Sequence, residues 1–156
     1  MQYIDGKPTP TVTDTEILGF FGEYRFLSNF HRCNVLYEGI LYPSSEHAYM
    51  AQKTCTESER AKFSSLVGLS AKDAKAEGRR CTLRSDWEQV KIGVMTGVLL
   101  AKFSQNPLLR EGLRSTGTKR LEETNYWNDT FWGVCKGKGD NMLGKLLMEV
   151  RDQLRT

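Results

Sequence analysis

Residues 43–53, "PSSEHAYMAQK", hold the densest chemistry in the sequence. Pro43 and Ser44 read as the entry to a helix, with Glu46 and His47 in its first turn and Lys53 further on. From Glu46 to Lys53, at 3.6 residues per turn, the chain returns to within about 20° of one face, roughly 10 Å along the axis. Tyr49 and Met50 lie between them on that face. An acid in a first turn is favoured by the helix dipole alone. The same field keeps a carboxylate ionised, which suits it to stabilise an oxocarbenium-like cation or to activate water. Lys53 also reads in two ways. It is a solvated cation at a helix C-terminus, or it is a phosphate contact and an amine able to attack an aldehyde carbon.

A second concentration is "NYWNDTFWG", where Asp129 is flanked by Tyr126, Trp127 and Trp132. One reading is an Asx-turn with core aromatics on either side. The other is a carboxylate beside aromatic faces that stack on a flat heterocycle. Trp87 opens a helix, either as core or as the large flat group at a ligand site. "CKGKGDN" places Lys136 and Lys138 among glycines ahead of the last helix. Backbone N–H groups, two cations and a helix N-terminus suggest a phosphate cradle. The plainer reading is a solvated turn with Asp140 as N-cap.

Other chemistries find less support. "GDNMLGK", residues 139–145, has P-loop spacing, but Leu146 stands where Ser or Thr is required, so an NTPase is rejected. His31 and His47 are the only histidines, and no thiol or carboxylate cluster has metal-ligand spacing, so no metal is expected. No GxSxG occurs, which argues against a serine hydrolase.

The elements that position these residues follow from pattern. The chain has 156 residues, 39% hydrophobic and 26% charged, the balance of a soluble globular protein with one core. No apolar run reaches membrane-spanning length, and no secretory signal opens the chain. Cys33, Cys55, Cys81 and Cys135 form no CxxC pair, and a cytoplasmic protein with reduced thiols is expected. The net charge of +3 permits an anionic substrate without demanding one. Residues 1–16 read as an extended arm or mobile terminus, and 17–156 as the folded domain. "NVLYEGILY" is the best hairpin candidate. Helices are expected over Ser45 to Cys55, from Thr56 ("TESE", a capping box), over "SAKDAKAEGRR", from Ser85 with Glu88 as its capping-box partner, over 107–114, and from about Asp140. "KRLEETN" suggests a strand. The class is α+β: a predominantly α-helical single domain with a few short strands.

Taken in order, "FLSNF", "YPSSEHAYMAQK", "DWEQVKIGVM", "LAKF", "NDTFWG" and "GKGDNMLGKLLMEVR" resemble the NADAR family of YbiA-like proteins. The likeness covers about Phe20 to Leu154. Each motif is weak alone, and the ordered set is specific. The resemblance implies the YbiA-like fold and an N-glycosidase that needs no cofactor. Some members hydrolyse ribosylaminopyrimidine phosphates of riboflavin biosynthesis. Others remove ADP-ribose from guanine, including ADP-ribosylated nucleic acid. The family's implicated residues map onto Glu46, Trp87 and Asp129, and onto Lys53, for which a covalent ring-opened intermediate is proposed. Ser28, Asn29, Phe30, His47, Tyr49, Trp132, Gly133, Lys136, Gly137, Lys138 and Asn141 are the expected substrate-binding set.

One departure stands out. Riboflavin-type members carry a longer small-residue loop after the WG motif, whereas here Val134 and Cys135 follow directly. That departure bears on the substrate and not on the reaction class. Because the basic loop suits a pyrophosphate, the expectation is removal of ADP-ribosyl groups, with the riboflavin intermediates, whose single phosphate the loop would also satisfy, as the rival substrate. A binding module that holds ADP-ribose or NAD without cleaving it would not need both carboxylates near an anion, where they repel it. A structural nucleic-acid binder ranks last, since no basic stripe is present.

Overall fold

The computed structural model describes residues 1–155. In chain order, strands β1 (Gln2–Ile4), β2 (Lys7–Thr9), β3 (Thr11–Val12) and β4 (Glu16–Leu18) precede a 3₁₀ helix, Gly22–Leu27, and strands β5 (Val35–Tyr37) and β6 (Ile40–Tyr42). Helices α1 (Ser45–Ala51), α2 (Glu57–Ala61), α3 (Ala71–Gly78), α4 (Trp87–Gln105) and α5 (Pro107–Ser115) follow. Strands β7 (Arg120–Glu122), β8 (Thr124–Asn125) and β9 (Val134–Cys135) lead to α6 (Met142–Gln153). The class is α+β, mainly helical, with the strands in small sheets, as the sequence pattern predicts. Among the described residues, no helix is long and apolar enough to cross a membrane.

The described residues form two compact units: residues 29–107, and residues 1–28 with 108–155. In the 29–107 unit, α1 is buried along its whole length and packs on α3, α4 and the β5–β6 hairpin. The hairpin forms where "NVLYEGILY" predicts it. Glu38 and Gly39 turn the chain with φ of 49° and 82°, the left-handed pair that matches strand twist. Gln105, at the end of α4, donates its amide to the Leu36 carbonyl and accepts the Leu36 N–H, both at 2.8 Å.

The other unit gathers its core around α6. Leu143, Leu146, Leu147 and Val150 lie buried, with α6 packed on β7. Each such side chain contributes roughly 1.5–3 kcal/mol. That exceeds the roughly 1 kcal/mol of a good N-cap, so α6 forms although its N-cap makes no side-chain cap bond. Residues 1–16, expected as an extended arm or mobile terminus, form short strands and turns. Asp5–Gly6 closes the β1–β2 hairpin, β3 pairs with β4, and β4 runs parallel to β7.

Three boundaries differ from expectation. α1 stops at Ala51, not Cys55, because Gln52, Lys53 and Thr54 donate to carbonyls three residues back instead of four. Arg60 takes the Thr54 carbonyl at 3.1 Å and leads the chain into α2. The N-cap of α4 is Asp86, not Ser85, and its carboxylate is held by Arg84 at 2.6 and 3.1 Å instead of capping. The N-cap of α6 is Asn141, in left-handed backbone, not Asp140.

Candidate active site

Glu46 is seated by its neighbours. Ser44 caps α1, its hydroxyl oxygen accepting the His47 N–H at 3.1 Å. The Asn29 carbonyl accepts the Glu46 N–H at 3.0 Å. The Asn29 side chain accepts the Ser45 hydroxyl at 2.9 Å and directs its NH2 to the Met95 sulfur at 3.6 Å. Asn29 therefore positions α1, both ends of its amide being engaged within the fold. His47 is engaged within the fold in the same way. Its Nε2 lies 2.7 Å from the Leu69 carbonyl, which can only accept, so Nε2 carries the proton. Its Nδ1 then accepts the Ser44 hydroxyl at 2.6 Å. Burial pushes the imidazole below its ordinary pKa and keeps it neutral. Glu46 itself is only 6% exposed.

Lys53 lies in the turn beyond α1, not on its helical face. The Arg84 N–H donates to the Lys53 carbonyl at 2.7 Å and ties that turn to the segment entering α4. The Lys53 amine stands over the Trp87 ring, 5.9 Å from its centroid, and Tyr49 packs against the same ring at 5.1 Å. Burial pushes the Lys53 pKa down. The fields of Cys81 and Glu46 oppose that shift, and Arg79 and Lys75 reinforce it. An amine of this kind is neutral more often than a surface lysine, which suits nucleophilic attack. Sequence reasoning missed Lys75, Arg79 and Cys81. The signal was present, since Lys75 and Arg79 are four residues apart and so share a face, but "SAKDAKAEGRR" read only as a polar helix.

Asp129, Trp132, Gly133, Lys136, Gly137, Lys138 and Asn141 belong to the other unit, and Ser28 lies at its boundary. Asp129 Oδ1 accepts the N–H groups of Phe131 at 3.2 Å and Trp132 at 2.9 Å. This is the Asx-turn reading, realised through one oxygen. Oδ2 makes no hydrogen bond among the described residues, so it stays open to a ligand. Asn125 holds the turn from inside. Its Oδ1 accepts from Trp127 and Asp129 N–H, and its NH2 donates to the carbonyls of Glu123, Asp129 and Val134. Gly133 is a packing requirement: a Cβ there would sit 2.3 Å from the Glu123 carbonyl oxygen. Trp132 meets Phe131 edge to face at 4.9 Å. Ser28 and Phe30 are half-buried on either side of Asn29 in sequence.

The phosphate cradle takes a different form from the expected one. The N–H groups of Asp140, Asn141, Met142 and Leu143 donate to carbonyls of Thr130, Gly133, Phe131 and Trp132. The start of α6 is thus spent on the fold. Asn141 is spent as well, its Oδ1 accepting the Glu123 N–H at 3.0 Å and its NH2 donating to the Leu121 carbonyl at 2.9 Å. Lys136 and Gly137 form a tight turn closed by Cys135 and Lys138, and both lysines are exposed. What remains for an anion is the charge of Lys136 and Lys138.

Residues 17–155 match the NADAR domain, a stretch that runs through both units. An N-glycosidase YbiA of Escherichia coli (strain K12) is 37% identical over 147 residues, 92% of this chain and 91% of its own. A riboflavin biosynthesis protein of Vibrio vulnificus is 37% identical over 137 residues, 83% of this chain and 35% of its own. The NMR structure of the E. coli protein YbiA superposes with a TM-score of 0.79 at 38% identity, covering 92% of this chain and 87% of that one. The chain belongs to the NADAR domain family.

Proposed function

We propose that this protein hydrolyses the N-glycosidic bond of an ADP-ribosyl group, with ADP-ribosylated guanine as substrate. The reaction class follows from the family: relatives named N-glycosidase share more than a third of their residues with it over nine-tenths of both chains, and the chain is a hydrolase of N-glycosyl bonds. The observation that carries the site is the Lys53 amine above Trp87, its ammonium form disfavoured by burial and by Lys75 and Arg79.

Cleavage breaks the bond from the ribose C1 to the base nitrogen, and the electron pair leaves with the base. Glu46 stabilises the positive charge left at C1, or takes a proton from the water that bonds there. In the imine route the neutral Lys53 amine displaces the base at C1, the base leaving with the bonding pair and taking one amine proton. The bond from C1 to the ring oxygen then breaks, that oxygen takes the second amine proton, and C1 and the Lys53 nitrogen form the imine. Water then hydrolyses the imine and returns the amine. Asp129 supplies the second carboxylate through Oδ2, polarising the base or the ribose hydroxyls. The cations beside Lys53, Lys75 and Arg79, favour a pyrophosphate.

A second substrate reading rests on the Vibrio relative, whose name places it in riboflavin biosynthesis. A ribosylaminopyrimidine phosphate presents the same bond and one phosphate. The deciding experiment follows free base by chromatography after incubation with an ADP-ribosylated guanine oligonucleotide and, separately, with ribosylaminopyrimidine phosphates. Release of guanine supports the first reading, release of the pyrimidine alone transfers the assignment to the second, and no release from either rejects the proposed substrates.

A further inference from the structure

The turn that delivers Asp129 carries two aromatic side chains that the fold does not bury: Tyr126 is 58% exposed and Trp127 41%. Aromatic residues of this size ordinarily contribute to a core or an interface. Here they stand on rigid backbone. The Asn125 amide bonds to both sides of the turn, and Asn128 adopts left-handed backbone with φ of 63°. The two rings meet edge to face, centroids 4.9 Å apart and planes at 83°, so each fixes the other's orientation. Rigid, exposed and planar groups lose little entropy when a flat ligand stacks on them.

Charge of the matching sign lies close by. Strands β8 and β9 run parallel with Asn125 opposite Cys135, so Tyr126 and Lys136 leave the same end of the ladder. The Cys135 thiol reaches the Asn128 side-chain oxygen at 3.7 Å, which keeps the two segments together. Exposed aromatic faces beside exposed cations are how proteins grip single-stranded nucleic acid. Trp127 and Asp129 are two residues apart, a span of at most about 7 Å. Successive bases in a stacked strand lie about 3.4 Å apart and further when the strand is extended, so the spacing suits neighbouring bases.

We propose that Tyr126 and Trp127 form a stacking platform for the nucleobase next to the modified guanine, which makes single-stranded nucleic acid the preferred substrate. This rests on the ADP-ribosyl-guanine reading above. The test compares kcat/KM on an ADP-ribosylated guanine nucleoside with that on a single-stranded oligonucleotide carrying one such base. Trp127→Ala lowers the oligonucleotide value about tenfold or more, as loss of one stacked base does, leaves the nucleoside value unchanged, and is rescued by Trp127→Phe. Equal loss on both substrates means that the platform holds a part common to both, such as the adenine, and overturns the proposal; so does no loss on the oligonucleotide. A second arm needs no turnover. Trp127 is exposed and Trp87 buried, so an unmodified single-stranded oligonucleotide quenches the wild-type fluorescence, and the quenching shrinks in Trp127→Phe, where the half-buried Trp132 alone can still report; quenching undiminished in that variant overturns the proposal. Quenching without any turnover would reject the catalytic reading and retain the platform; absence of quenching rejects the platform whatever the enzyme cleaves.

Discussion

The Lys53 amine and the Trp87 ring face each other at 5.9 Å. A ring face attracts the ammonium form, and the Glu46 field favours it too, yet burial with Lys75 and Arg79 shifts the balance toward the neutral amine. Lys53 therefore loses its proton below 10.5, the ordinary lysine value.

That balance predicts a pH dependence. If the neutral amine attacks C1, trapping of the intermediate with cyanoborohydride speeds up as pH rises and levels off below 10.5. Lys53→Ala abolishes trapping. Glu46→Gln removes a field that favours the ammonium, so the Lys53 titration, followed by NMR of the methylated amine, moves lower still. An unmoved titration would show that the two residues are not coupled.

Asp129 separates charge from scaffold. Asp129→Asn keeps a side-chain oxygen for the Phe131 and Trp132 N–H groups, so Tm stays within a few degrees of wild type. It removes the charge at Oδ2, and kcat falls by roughly 10²–10⁴, the scale of a lost acid–base or charge-stabilising group. Asp129→Ala loses both functions and also lowers Tm. If Asp129→Asn retained full turnover, the carboxylate would be purely a turn former.

His47 links stability to acid. Its folded-state pKa lies below 6.5, so the stability tied to the neutral ring is full above 6.5 and is lost as pH falls through the folded value. His47→Phe strips partners from Ser44 and Leu69 and costs roughly 1–3 kcal/mol at pH 8. The gap in Tm between the two proteins should narrow as pH falls below 6.5. A gap that stays constant with pH would contradict the neutral, doubly bonded ring.

Gly133→Ala places a Cβ 2.3 Å from the Glu123 carbonyl oxygen and 2.6 Å from the Asn125 amide nitrogen. Backbone must shift, at a cost of about 1–3 kcal/mol or more, and the Asn125 brace on the Asp129 turn is disturbed with it. Tm and activity are expected to fall together. Unaltered urea unfolding would show that the turn has slack.

The sequence made some of this legible and hid the rest for physical reasons. Glu38–Gly39 gave away the hairpin because few residues accept paired left-handed backbone. The α6 stripe was readable because burial, not capping, decides that helix. The Ser85 and Asp140 caps were misplaced because capping preference is weak beside a competing partner: Arg84 claims Asp86, and Asn141 turns its amide to the backbone at Leu121 and Glu123. His47 and Asn29 look like ligands in sequence, since nothing local tells that their partners are Leu69, Ser45 and Met95. Lys53 was placed on a helical face by counting, which does not detect that Gln52, Lys53 and Thr54 bond to carbonyls three residues back and end α1 at Ala51.

The Gln105 amide has a consequence for self-association. A two-stranded ribbon has two outer edges, and each can template a strand from another chain. Leu36 and Leu41 face each other across this ribbon and are exposed, at 52% and 43%, so the hazard is real. Gln105 occupies the outward N–H and C=O of Leu36, and Ser65 donates to the Leu41 carbonyl at 2.9 Å on the opposite edge. One side chain of α4 thus acts as a blunt third strand, and Gln105→Leu would turn a sealed margin into an adhesive one.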